Sequence, residues 1–255
     1  MHPAVRTGRF ERGYSLIEVM VAIAIALFLM AGAGLIMQHT SNTYRAQTQL
    51  ARLQDSERMA MSLMTDVIQS TGYYPNPHNF TDLQTLVVSP SFAAAGAPNI
   101  ATAPVTGALG DTISVRYAAA PLDNVYNCRG DQNTAAAPFE TWENTFSVVQ
   151  GPPGPGGTTQ FQLQCTLWSL STNAVVTTPL VSGVQNLTIQ YGLNTAGSGT
   201  GSCADRYKPS AQMLPADWSQ VCSVKVTLTF ANPFNAGGTK PTIDFTRVIA
   251  VMNQV

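Results

Sequence analysis

Charge is scarce in this chain. Only 11% of its 255 residues are Asp, Glu, Lys or Arg, and only three are His. Such a thin supply of titratable groups is low for a cytosolic enzyme and leaves little from which to build acid–base machinery. The histidines are His2, His39 and His78, none with a Ser or Cys partner at a spacing that marks a nucleophile and its base, and no G-x-S-x-G occurs. Gly197-Ser198-Gly199-Thr200-Gly201 lacks the Lys and the following helix of a phosphate loop. Asp55 and Glu57 read as surface charge on a helix rather than as an acid/base pair, and Trp142, Trp168 and Trp218 as core or loop anchors. No basic cluster exists outside the first twelve residues, so nucleic-acid binding is not expected. The expectation is a non-enzymatic protein with no catalytic residue and no cofactor.

What the chain does have is one long uncharged apolar run. Val19 to Met37 is nineteen residues without a charge, ending at Gln38-His39-Thr40. As a helix it spans roughly 28 Å, close to the ~30 Å hydrocarbon core of a bilayer. Arg6, Arg9 and Arg12 precede it, and the next cation is Arg45. That asymmetry puts the short N-terminus in the cytoplasm and the rest outside. Three readings compete: a plain anchor, a secretory signal cut near Ala31-Gly32-Ala33, and a signal cut in front of the run. A secretory apolar core is usually only about 7–15 residues, and Glu18 sits at the front edge of this one. A carboxylate there costs several kcal/mol unless it finds a partner, which marks Glu18 as a functional candidate.

The helix continues past the membrane. Leu50, Leu53, Ala60, Leu63, Met64, Val67 and Ile68 follow a helical apolar stripe, and no Pro or Gly interrupts Gln38 to Ser70. Thr71-Gly72, then Pro75 and Pro77, stop it. Gly32 and Gly34 allow close helix approach or local melting, or are simply the glycines common in membrane helices. Residues 73–111 read as irregular, with Pro75, Pro77, Pro90, Pro98 and Pro104. Alternation then predicts strands around Thr112–Tyr117, Phe161–Trp168, Leu187–Tyr191, Val224–Phe230 and Thr242–Asn253. One apolar face per strand implies an antiparallel sheet half covered by the amphipathic part of the helix. Gly151 to Gly157 is a loop tip without a collagen register. Four cysteines, Cys128, Cys165, Cys203 and Cys222, all lie beyond the apolar run. An oxidising compartment allows two disulfides in three connectivities, of which neighbour pairing is the expectation. Zinc finds no support, since there is no C-x-x-C and no nearby His.

Two stretches carry a resemblance. Gly13-Tyr14-Ser15-Leu16-Ile17-Glu18, behind a basic leader, resembles the type IV prepilin signature, in which a Gly precedes an aromatic residue and a Glu follows five positions into the mature chain. The family's usual first residue is Phe, so Tyr14 departs from it while keeping the ring. Leu180 to Gly192, with Val184, Asn186 and Leu187 leading into Tyr191-Gly192, looks like the strand motif and tyrosine–glycine turn of PilW-type minor pilins. Ala204-Asp205-Arg206-Tyr207, Trp218 and the Val221–Phe230 strand are similar to that family's C-terminal region. The resemblance covers the N-terminal helix and roughly residues 180–255; residues 73–160 are outside it.

The resemblance implies an α+β, type IV pilin-like fold, with a long N-terminal helix, transmembrane then amphipathic, packed on an antiparallel β-sheet domain. Residues 1–13 become a cleaved leader, 14–72 the helix and 73–255 a β-rich head outside the cytoplasm. It implies cleavage by a prepilin peptidase between Gly13 and Tyr14, N-methylation of Tyr14, and pairing of Glu18 with the amine of an adjacent subunit. The implied role is a minor pilin that primes or supports pilus assembly at or near the tip. The implied partners are other minor pilins and the major pilin through the N-terminal helices, and a PilY-type tip adhesin, with an inner-membrane stage before assembly. A pseudopilin of type II secretion, of the J kind, is the alternative within the class; a secreted binding protein or hydrolase cut near Ala33 is the alternative outside it. Relatives often carry several Asp residues after the Tyr-Gly turn; here Leu193 to Ser202 has none, and Asn194 with Asp205 alone is a poor cation site, so no metal is expected.

Overall fold

The structure is a computed structural model, and it describes residues 13–75, 100–102, 105–134, 139–154, 157–195, 203–234 and 239–251. The leader arginines, His78 with most of the stretch read as irregular, part of the 151–157 loop tip and the centre of the 193–202 loop lie outside the described residues. One helix, α1, runs Leu16–Gln69 over 54 residues. It ends where the sequence places a glycine: Gly72 takes φ +74°, a conformation that costs a residue without Cβ nothing. Its N–H then donates to the Arg116 carbonyl at 2.9 Å, handing the chain from helix to sheet.

The chain divides into two compact units, Met1–Gln49 and Leu50–Val255. In the first, every described residue up to Arg45 is exposed, and apolar side chains such as Leu16, Phe28, Met30 and Ile36 project on all sides. A helix apolar all round belongs in lipid or among other helices.

The second unit holds the last turns of α1 and two antiparallel sheets. The five-stranded sheet has the order β1-β2-β3-β4-β5, from β1 (Ile100–Ala101), β2 (Ile113–Ala119), β3 (Glu140–Gln150), β4 (Phe161–Ser169) and β5 (Ala174–Ser182). The four-stranded sheet has the order β7-β6-β8-β9, from β6 (Val184–Leu193), β7 (Arg206–Pro209), β8 (Val221–Ala231) and β9 (Thr242–Ala250). The expectation of a single half-covered sheet is therefore corrected to two. They meet at Gly110-Asp111. Leu109 N–H donates to the Val148 carbonyl at 2.7 Å, Asp111 N–H to the Leu187 carbonyl at 2.7 Å. The Asp111 carboxylate accepts from Ile189 N–H at 2.8 Å. A Cβ on Gly110 would lie 2.3 Å from the Leu187 carbonyl oxygen, so only glycine lets the two sheets approach here.

One main core results among the described residues. Ala60, Met61, Met64, Val67 and Ile68 of α1 join Val115, Phe146 and Leu163 of one sheet and Ile189, Val226 and Leu228 of the other. Those helical positions recur at one and three residues, as a stripe facing a core must. Four of the described strands, β1, β3, β5 and β7, had no clear signature in the sequence. In β3, Asn144 interrupts the apolar row Trp142, Phe146 and Val148; its side-chain oxygen accepts the Cys128 N–H at 2.8 Å, so that acceptor is satisfied inside the core. In β5, Pro179 argues against a strand, and the structure absorbs it with a register shift at an outer strand. The expected tyrosine–glycine turn is also corrected. Tyr191 and Gly192 lie inside β6, where Gly192 pairs with Tyr207 on one side and Ser223 on the other. A Cβ on Gly192 would meet Ser223 Oγ at 2.2 Å and Tyr207 Cε1 at 2.9 Å, so this glycine makes room for a ring rather than for a turn.

Candidate assembly site at the helix N-terminus

Gly13, Tyr14 and Ser15 precede α1, and the Ser15 carbonyl accepts the N–H groups of Glu18 at 3.0 Å and Val19 at 3.2 Å. Ser15 thus opens the helix, and Glu18 falls in its first turn. A carboxylate there faces the positive end of the helix dipole, worth about 0.3–1 kcal/mol at an exposed site. The Ser15-x-x-Glu18 spacing is that of a capping box, a local signal that could have marked the helix start. Tyr14, Glu18, Ala22 and Ala26 recur every four residues and so share one stripe; with Val19 and Ile23 they line a shallow open groove. The two alanines keep the groove floor low. Glu18 forms no ion pair among the described residues. Its helix is long and apolar enough to cross a membrane, with a mean hydropathy of 2.7 over its most apolar window.

The site therefore presents a carboxylate, an aromatic residue and a shallow apolar stripe at the end of a long exposed helix. No metal-ligand cluster occurs among the described residues. What the site can do chemically is accept one positive charge beside an apolar surface.

The cysteines belong to the second unit. Cys128 is bonded to Cys165 and Cys203 to Cys222. The first bond is fully buried and ties the 120–134 loop to β4; the second ties the segment before β7 to β8, with Cys203 exposed. Several polar residues that the sequence did not mark organise this unit. Glu140, buried, accepts hydrogen bonds from Ser169 Oγ at 2.6 Å and from the N–H and hydroxyl of Ser171, clamping the β4–β5 hairpin. Arg116 and Glu143 face each other across β2 and β3, both nearly buried. Burial lowers the pKa of Arg116, and the neighbouring Glu143 charge opposes that shift. Lys208 Nζ lies 2.7 Å from the Asp217 carboxylate, which also accepts the Leu214 N–H at 2.8 Å. The Lys208 hydrogen bond, then the Leu214 one, holds that carboxyl below the usual carboxylate range. Burial pushes the Tyr191 and Tyr117 hydroxyls far up; Tyr117 donates to the Tyr126 carbonyl at 2.6 Å.

Two family profiles match this chain. Residues 8–34 match the one described as Prokaryotic N-terminal methylation motif, and residues 145–246 match Type IV Pilus-assembly protein W. Together the two matches support a type IV pilin of the PilW family. In this pilin the first match takes in Gly13, Tyr14, Glu18 and the apolar run to Gly34; the second runs from Thr145 in β3 to Thr246 in β9, well upstream of where the sequence resemblance begins. Among solved structures the pilin is similar to a type IV-like pilin from Thermus thermophilus, with 12% identity and a TM-score of 0.43, over 80% of this chain and 99% of that one. A comparison with curated proteins finds no match. The family is structural, and its members interact with other pilus components. The methylation motif and the apolar helix are consistent with a pilin anchored in the inner membrane.

Proposed function

We propose that this pilin is a minor subunit that primes or supports type IV pilus assembly at or near the tip, together with other minor pilins, and that it has no enzymatic activity. A prepilin peptidase cuts between Gly13 and Tyr14 and the new Tyr14 amine is methylated. Until assembly the chain sits in the inner membrane by a single pass with its N-terminus in the cytoplasm; afterwards its head is periplasmic and then at the cell surface. Glu18 accepts the positive amine of an adjacent subunit, a major or minor pilin. A charge pair in a low-dielectric bundle depends steeply on distance, so it selects one axial stagger between helices. The presence of Glu18 argues against the tip-most kind of subunit, and a PilY-type adhesin is the partner expected above it. The single observation that supports this reading is the stripe of Tyr14, Glu18, Ala22 and Ala26 at the start of an exposed apolar helix.

The test is the mature N-terminus, by intact mass and terminal sequencing from cells with and without the peptidase. The expected species begins with N-methyl-Tyr14 and vanishes without the enzyme. A chain beginning near Gly34 would instead make this a secreted soluble protein.

A further inference from the structure

From Asn144 to Ala204 the chain contains no Asp, Glu, Lys, Arg or His. That stretch includes β4, β5 and β6. β5 is the outer strand of its sheet, bonded to β4 and to no other strand among the described residues. Every residue from Ser171 to Thr177 is exposed, with Val175 at 65% and Val176 at 39%. Outer strands carry a row of unpaired N–H and C=O groups, and proteins defend them by shortness, charge, proline or a bulge. The other outer strands here are defended. β1 has two residues; β7 has four, including Arg206 and Lys208; β9 carries Asp244 and Arg247. β5 has only Pro179 and the adjacent register shift, both in its second half. Ala174–Thr178 is undefended.

We infer that the Ala174–Thr178 edge is a docking site for an extended, uncharged segment of another polypeptide, which joins the sheet as a sixth strand. The outward backbone groups repeat every second residue, about 6.8 Å apart, and an extended chain is the partner that matches that spacing. Val175 stands across from Trp168 and Val176 from Leu167, so the edge offers an apolar contact on both faces of the sheet. A charge on the partner would lose hydration beside these side chains and find no counter-ion anywhere on β4, β5 or β6. The fitting occupant is therefore neutral and rich in β-branched or small polar residues, like β5 itself. This surface is separate from the helical stripe of the assembly site and extends the proposed role without resting on it.

The experiment places the photo-cross-linking residue benzoylphenylalanine at Val176 of the full-length pilin in pilus-producing cells. Cross-linked peptides are then sequenced by mass spectrometry from membrane and filament fractions alike. The expected product joins position 176 to an uncharged stretch of another chain. Val175→Lys should reduce its yield about tenfold or more, whereas Val175→Thr should leave it in place. Val175 is largely exposed, so both variants should keep the two disulfides, which non-reducing mass spectrometry checks. The inference is overturned if no cross-link forms, if the captured segment is charged or helical, or if Val175→Lys leaves the yield unchanged. Because the membrane fraction is read as well, a failure of filament assembly does not silence this readout.

Discussion

Glu18→Gln keeps the shape and the hydrogen-bonding capacity of the side chain and removes only its charge, so it isolates the ion pair on which the assembly argument rests. Glu18 is exposed, lies in the first turn of α1 and has no ion-pair partner among the described residues. In the proposed role the compensating charge is the processed N-terminus of an adjacent subunit. Two unit charges about 4 Å apart interact by about 4 kcal/mol at an effective dielectric of about 20, and desolvation takes back part of that. A net loss of about 2 kcal/mol corresponds to about a thirty-fold change in partition. A second effect has the same sign. The neutral side chain is cheaper to hold in lipid, so the unassembled membrane pool is stabilised while the filament contact is weakened. The assay is the ratio of this pilin in sheared filaments to that in membranes, by quantitative immunoblot, in cells carrying the wild-type chain, Glu18→Gln or Glu18→Asp. Glu18→Asp, which keeps the charge but withdraws it by one methylene, should fall between the other two. Intact mass must show N-methyl-Tyr14 in all three, so that processing and assembly are separated. A Glu18→Gln pilin that is processed normally and reaches filaments at the wild-type ratio would refute the ion-pair argument.

Other outcomes follow from the head. Met64 is completely buried, so Met64→Ala should cost about 2–5 kcal/mol; Met59→Ala, at a site 59% exposed, should stay within about 0.5 kcal/mol. Denaturant unfolding in detergent, with equal effects at the two sites, would show that the helical stripe is misassigned. Gly192→Ala should destabilise by about 1–3 kcal/mol through overpacking. Ser223→Gly should recover part of that loss in a double-mutant cycle, because Ser223 Oγ is the first atom the new Cβ meets; strict additivity would argue against the clash. Asp217 has a depressed pKa, so it contributes stability above the ordinary carboxylate pKa of about 3.9 and loses it as pH falls through the folded value. Lys208→Met should therefore lower stability at pH 6 relative to wild type, with the gap closing below about pH 4; a gap that persists into acid would assign the loss to packing.

The N-terminal helix of this pilin was legible because its signals are local. A charge-free run, a Glu at its front edge, a stop at Thr71-Gly72 and three arginines before it all act within a few turns of one helix. The strands with unbroken alternation, such as Val224 to Phe230, were legible for the same reason. Tertiary structure decided the rest. That β3 is a strand with an Asn in its apolar row depends on Cys128 arriving from a distant loop to use that side chain. That the two sheets are joined at Gly110-Asp111 depends on Asp111 reaching Ile189, 78 residues away. Gly192 carries no mark in the sequence to say that Tyr207 will lie against it. Nor does the sequence show that Arg116 and Glu143, with ordinary outward-facing positions in their strands, end up buried. Local pattern sets which residues face one side of a strand or helix. Which neighbour covers that side is set by pairings between residues far apart in the chain, and these exist only once the chain has folded.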